Sequence, residues 1–221
     1  MIPWETIDRA TAPDGAELVL ARRGGEWAIR AAGRVLMTSR QHGSEEALAA
    51  TALGRVEHPR AVLVGGLGMG FTLRAALDRV PEACRVTVVE LVPALAEWSR
   101  GALGDLAGRP LDDRRVSLEV GDVVARLAVT RRSLDAILLD VDNGPSALAH
   151  AANDRLYGPA GVAACAGALR AGGVVAVWSA GPDERYLARL RAAGLDAEAV
   201  AVPARPGSGA RHVVFVGRAP R

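Results

Sequence analysis

The chain has no lysine; all 27 basic residues among its 221 are arginine. A phosphate-cradling loop of the G-x-x-x-x-G-K-[ST] type is thereby excluded, because that loop needs its lysine to reach the phosphates. Cysteine is scarce as well: Cys84 and Cys165 stand in apolar surroundings and form no C-x-x-C pair. Two reduced, partly buried thiols in a cytoplasmic protein are the expectation. The histidines, His42, His58, His150 and His212, show no metal-ligand spacing, so no metal is expected. No apolar run approaches the ~20 residues of a membrane span. The segment Met1–Ala12 carries Glu5, Asp8 and Arg9 and lacks the apolar stretch of a signal peptide, so no membrane partner is expected. An excess of one charge is also missing, with 27 basic against 25 acidic residues. The pairs Arg22/Arg23, Arg114/Arg115 and Arg131/Arg132 are scattered instead of forming a basic face, so nucleic acid is not expected as a partner.

What the chain does have is apolar residues, half of the total. That is enough for one well-buried core and too little for two ordinary domains. Residues 1–42 read as a small antiparallel β extension and 43–221 as the main domain. In the extension, Glu17–Ala21, Glu26–Ala31 and Arg34–Thr38 read as strands separated by Arg23-Gly24-Gly25 and Gly33. So small a meander must pack on the main domain or on another subunit.

From Ser44 the period changes to that of a helix, with Ser44 the expected N-cap and Glu45 and Glu46 in the first turn. Strands are expected at Arg60–Val64, Arg85–Val89, Val116–Val120, Leu134–Leu139 and Val174–Trp178. Helices between them are expected after Gly70, after Val92, at Asp122–Leu127, at Pro159–Leu169 and at Asp183–Ala193. Ala197–Val202 and His212–Val216 have no helix between them and should pair antiparallel at one edge. The alternation implies an α/β, Rossmann-like, doubly wound, mostly parallel seven-stranded sheet with helices on both faces.

Gly65-Gly66-Leu67-Gly68-Met69-Gly70 lies between the first parallel strand and its helix, where open α/β sheets bind ligands. The dinucleotide fingerprint requires Gly or Ala at position 71 and meets Phe71. The pattern present, G-x-G-x-G, is similar to the first motif of class I S-adenosylmethionine-dependent transferases. Gly65, Gly66, Gly68 and Gly70 are therefore candidate nucleotide-binding residues. Glu90, at the end of the next strand, has the chemistry to accept hydrogen bonds from both ribose hydroxyls. Leu91 beside it, and Asp122 with Val123 after the third strand, complete the candidate nucleotide site. Asp122 reads equally as an acceptor for an adenine amino group or as a helix N-cap.

Taken together, the segment from about Arg34 to about Trp178 resembles the spermidine synthase family. The markers are Leu36-Met37-Thr38-Ser39, the glycine turn, Val88-Val89-Glu90, Gly121-Asp122, Asp135–Pro145, Leu156-Tyr157 and Leu169–Gly173. The resemblance implies transfer of an aminopropyl group from decarboxylated S-adenosylmethionine, or of a methyl group from S-adenosylmethionine itself, to a small amine. It also makes a homodimer plausible. Asp140 matches the family's first aspartate in its D-x-x-D-P segment and is the candidate catalytic carboxylate. Asp142 is either a second carboxylate or a turn acid before Asn143-Gly144. Two departures bear on the acceptor. The family's second aspartate falls on Asn143, and its Tyr-His-Glu triplet falls on Ser44-Glu45-Glu46, where only Glu46 matches. His42 is the candidate to replace the missing histidine. Arg40 and Gln41 are candidates to meet the carboxylate of an intact donor. The alternative is a catalytically inactive nucleotide-binding scaffold that retains the fold.

Overall fold

The computed structural model describes residues 2–141, 144–145, 155–203 and 211–221; Asp142, Asn143 and His150 lie outside the described residues. Two sheets organise the chain. The first is four-stranded and antiparallel, in the order β1 (Glu5–Thr11), β2 (Glu17–Arg23), β3 (Glu26–Ala31) and β4 (Arg34–Thr38). The expected meander therefore gains one strand. In β1 only Ala10 is even partly buried, so the residues carry none of the apolar alternation that marks a half-buried strand. Cross-strand ladder bonds to β2 hold it, with the ion pairs Arg9–Glu17 and Arg22–Glu5 beside them.

The main body follows as α1 (Gly43–Leu53), β5 (Ala61–Gly65), α2 (Phe71–Leu77), β6 (Arg85–Glu90), α3 (Pro93–Arg100), β7 (Val116–Val120) and α4 (Val123–Ala128). It continues with β8 (Leu134–Leu139), α5 (Pro159–Ala168), β9 (Leu169–Ser179), α6 (Glu184–Ala192), β10 (Asp196–Pro203) and β11 (Arg211–Arg218). Its seven strands lie in the order β10-β11-β9-β8-β5-β6-β7. All neighbours are parallel except β11, which runs antiparallel between β9 and β10. The chain winds from β5 outward to β6 and β7, then returns to the other side of β5 with β8. That reversal makes a crevice at the carboxyl ends of β5 and β8, the switch point of a doubly wound sheet.

Alternating strand residues feed two cores. Val62, Val64, Val86, Val88, Ala136 and Leu138 face Leu48 and Ala52 of α1 and Leu73 and Ala76 of α2. Leu63, Val89, Ile137, Leu139 and Val175 face Leu127 of α4, Cys165 of α5 and Tyr186 of α6. A third cluster joins Leu18, Leu20 and Ile29 of the N-terminal sheet to Met69 of the glycine turn and Trp98 of α3. The meander thus packs on the main body. Among the described residues no helix is long and apolar enough to cross a membrane.

Two local expectations are corrected. Ser44 does not cap α1: the cap position is His42, and the buried Ser44 donates its hydroxyl to Glu45 Oε2 at 2.7 Å. The helix at Pro159 stops at Ala168, one residue early, because Leu169 is already extended and pairs with Leu134 as the start of an eleven-residue β9.

At the amino end of β8, Asp135 accepts from the backbone N–H groups of Arg60 (2.7 Å) and Ala61 (2.8 Å), and Arg170 Nη1 donates to both its oxygens at 2.9 Å. Burial opposes ionisation there, but these donors outweigh it and hold the carboxyl below its ordinary range. The stabilisation is present above the unfolded-state value of about 4 and is lost as pH falls through the lower folded-state value. Asp135→Asn is therefore expected to lower Tm at pH 7, with the gap from wild type narrowing in acid, as a pH series of thermal melts would measure.

Candidate active site

The turn after β5 is built on close backbone approach. Gly66 has φ +88° and Gly68 φ +51°, the left-handed region that glycine enters without cost. A Cβ on Gly66 would lie 2.3 Å from the carbonyl oxygen of Asp140, and one on Gly68 would lie 3.1 Å from Met37 Sδ. The turn is therefore pressed onto the end of β8 from one side and onto the N-terminal sheet from the other. Gly66 N–H donates to the Val89 carbonyl (2.9 Å), and Asp140 N–H donates to the Gly65 carbonyl (2.9 Å). Gly65 packs between Leu139 and Val123, and Gly70 occupies the cap position of α2.

Glu90 closes the turn from the neighbouring strand. It is 5% exposed, its Oε2 accepts from Leu67 N–H (2.8 Å) and its Oε1 from Val92 N–H (2.9 Å). Burial raises its carboxyl above the ordinary range, opposed by backbone N–H groups of Val92, Leu67, Gly68 and Leu91 that converge on it. Beside it, Leu91 is 49% exposed and Val120, the strand partner of Glu90, is 54% exposed. Two apolar side chains thus stand open at the carboxyl edge of β6 and β7. Asp122 is the N-cap of α4, its Oδ1 accepting from Val124 N–H at 2.7 Å. Its Oδ2 lies 3.6 Å from Arg155 Nη2. The Val123 side chain is buried in the core beneath the turn.

Across the crevice stands Asp140, half-buried at the end of β8. Its Oδ2 accepts a 2.5 Å hydrogen bond from Thr72 Oγ1, in the first turn of α2. Burial, with the charge of nearby Glu45 added, pushes the Asp140 carboxyl up to about 7 against the Thr72 bond. The start of α1 leans on the start of α2: the His42 ring stacks on Phe71 with centroids 4.2 Å apart, and His42 Nδ1 lies 2.7 Å from Glu46 Oε1. Glu45, in the first turn of the same helix, is near enough for its charge to act on the Asp140 carboxyl.

Asp142 and Asn143 lie outside the described residues. Arg40 lies 3.4 Å from Glu26 of the N-terminal sheet. Trp178 packs edge-to-face on His212 at 4.8 Å. Among the described residues no three His, Cys, Asp or Glu side chains gather as a metal site. Sequence reasoning missed Thr72, Glu45 and Val120. Thr72 was within reach, since a hydroxyl two residues past the last glycine of such a turn faces the switch point. The other two are set by packing between elements distant in sequence.

A methyl group at Gly66 must both enter the left-handed region and displace the Asp140 backbone. Gly66→Ala is expected to cost about 3 kcal/mol or more, read as a lowered midpoint in urea unfolding.

The spermine/spermidine synthase domain family matches residues 41–185. A polyamine aminopropyltransferase of Mycobacterium tuberculosis is 30% identical over 188 residues, which is 80% of this chain and 35% of that protein. Putrescine N-methyltransferase 4 of Nicotiana tabacum is 36% identical over 126 residues, 56% of this chain and 30% of that protein. The chain thus spans about a third of the length of these curated relatives. The spermidine synthase of Thermotoga maritima superposes with a TM-score of 0.78 at 17% identity, covering 96% of this chain and 72% of that one; at that identity the likeness is one of fold. With the glycine turn, the acid at the end of β6 and the carboxylate at the end of β8 in one crevice, the chain belongs to the spermine/spermidine synthase family.

Proposed function

We propose that the chain transfers an aminopropyl group from decarboxylated S-adenosylmethionine to a small amine. The observation that carries this reading is the abutment of the glycine turn on Asp140, which puts a nucleoside cradle and a carboxylate of raised pKa on adjacent strand ends. In the reaction the amine lone pair attacks the aminopropyl carbon attached to the sulfonium. A carbon–nitrogen bond forms, the carbon–sulfur bond breaks with its electrons returning to sulfur, and the nitrogen loses a proton. Holding the two reactants in line supplies much of the acceleration.

Each residue has a part in this reading. The backbone of Gly65, Gly66, Gly68 and Gly70 receives the nucleoside, and Glu90 holds the turn in shape while offering lone pairs to the ribose hydroxyls. Leu91 and Val120 flank the base, with Asp122 and Val123 at its rim. Asp140, ionised above about pH 7, attracts the cationic amine and takes up its proton. Asp142, the next acid in the same segment, is a second candidate for that charge.

Donor choice follows from one carboxylate. The intact donor carries it and the decarboxylated donor does not. Arg40, one of the two residues expected to meet that carboxylate, has Glu26 at 3.4 Å, which favours the decarboxylated donor. Methyl transfer from S-adenosylmethionine is the second reading, favoured by the similarity to the tobacco N-methyltransferase. Incubating the protein with putrescine and each donor separately, followed by mass spectrometry, tests both. Methylthioadenosine and an aminopropylated amine are the expected products. Methylated amine alone would replace the first reading with the second, and failure to bind either donor would sink both.

Asp140 also links activity to pH and to stability. With the decarboxylated donor, kcat/KM is expected to rise through an inflection near pH 7 as Asp140 ionises. Because its folded-state pKa lies above the unfolded-state value of about 4, stability is lost as pH rises from about 4 through about 7. Asp140→Asn removes that cost while its amide oxygen still accepts from Thr72. The variant is expected to be inactive yet to gain more Tm over wild type at pH 8 than at pH 5.

A further inference from the structure

The amino ends of the parallel strands, opposite the crevice, carry a second recess. Helix α4 begins directly after β7 and has six residues, so it spans about 9 Å. The six residues of β6 beneath it run about 20 Å. The helix therefore covers the carboxyl half of this face, with Leu127 in the core against Leu63 and Val89. The amino half is left bare, and the residues there change character. Val86 and Val88 face the core under α1 and α2, so Arg85 and Thr87 lie on the other face with Val89. Ser117, the ladder partner of Thr87, shares that face. A cavity of about 410 Å³ results across the first residues of β5, β6, β7 and β8, within the size range of small-molecule sites.

The fold gathers here arginines that are scattered in the sequence. Arg85, Arg114, Arg115, Arg126 and Arg170 line the cavity, and among the described residues no acid does. Acids outside it take part of each fork. Arg115 spends its guanidinium on Asp113 and on the Leu77 and Val80 carbonyls, so it serves the fold. Arg126 gives Nε to Glu119 and Nη1 to Thr130, which leaves Nη2. Arg170 gives only Nη1, to Asp135, and two backbone N–H groups fix that carboxylate in turn. Arg114 meets Glu82 at the exposed rim. Arg85 has no ion pair among the described residues, and there the hydroxyls of Thr87, Ser117 and Ser133 in the cavity wall have no hydrogen-bond partner. Unspent arginine N–H groups match the paired oxygens of a phosphate, and the hydroxyls add donors without charge. No aromatic side chain lines the cavity to stack a base. We propose that this recess binds a small oligophosphate anion, free or as the tail of a nucleotide. It lies at the other end of the strands from the glycine turn, and nothing in it depends on aminopropyl transfer.

The test titrates inorganic triphosphate into the full chain by calorimetry, beside ATP and a short single-stranded DNA. Wild type is expected to bind triphosphate saturably at one site, more weakly as salt is raised. Arg85→Gln removes a cation that has no acid to support, and should weaken binding by about tenfold, the scale of one lost hydrogen bond to a charged group. Ser117→Asp puts a negative charge at an exposed position of the recess and should abolish binding. Arg185→Gln, at an exposed arginine of α6 outside the recess, should leave the affinity unchanged. A thermal melt of each variant separates lost binding from lost folding. ATP that competes with triphosphate would support the site and identify a nucleotide tail as its ligand. Triphosphate binding without ATP binding would support it with a free oligophosphate instead. Absence of saturable triphosphate binding in wild type would overturn the proposal. So would equal weakening in Arg85→Gln and Arg185→Gln, or an affinity unmoved by Ser117→Asp. DNA binding that triphosphate fails to displace would replace the small-anion site with a nucleic-acid surface and overturn it as well.

Discussion

The contact between Gly66 and the carbonyl of Asp140 is the constraint on which the rest of the crevice depends. Space for it exists only because residue 66 has no Cβ; an added methyl would meet the carbonyl oxygen at 2.3 Å. The contact joins the ends of β5 and β8, two parallel strands whose ladder runs through Val64–Leu138 and Gly65–Leu139. Those ends lie where the winding of the sheet reverses, so helices diverge from them and leave a cleft. One backbone approach thereby sets how far the glycine turn stands from the carboxylate proposed to work on the substrate.

Three buried or half-buried acids at strand ends show how surroundings assign different duties to one chemistry. Asp135, at the amino end of β8, is saturated by two backbone N–H groups and Arg170 and serves the fold. Glu90, at the carboxyl end of β6, is buried and spends its oxygens on the backbone of the turn. Asp140, at the carboxyl end of β8, has one hydroxyl and a like charge nearby, so its protonation is poised near neutrality. Poised carboxylates are what proton uptake from an amine requires.

The N-terminal sheet is more than an appendage to this arrangement. Met37 fills the space that a Cβ on Gly68 would take, and Met69 of the turn is buried against Leu18, Leu20 and Ile29. Trp98 Nε1 donates to Asp8 at 2.7 Å, while the adjacent Ser99 hydroxyl donates to the Gly68 carbonyl at 3.1 Å. Helix α3 thus ties the first strand of the chain to the glycine turn. Small sheets lack the apolar area to stand alone, and this one gains its stability on the element that the proposed reaction depends on.

Much of this was legible in the sequence. Apolar strand runs, glycine punctuation and acids at strand ends determined the α/β alternation, the place of the cradle, Glu90 and Asp140, because these signals are local and periodic. Where no face is buried the signal fails, as in β1, and where a neighbour competes for a side chain it misleads, as at Ser44, whose hydroxyl goes to Glu45. Tertiary structure alone decided the rest. Whether Asp122 caps a helix, whether Arg40 has an acidic partner, and whether the charge of Glu45 reaches Asp140 are questions about groups distant along the chain. Their answers come from how α1 packs on α2 and how the N-terminal sheet meets the turn, since charge and burial act through space and not through sequence.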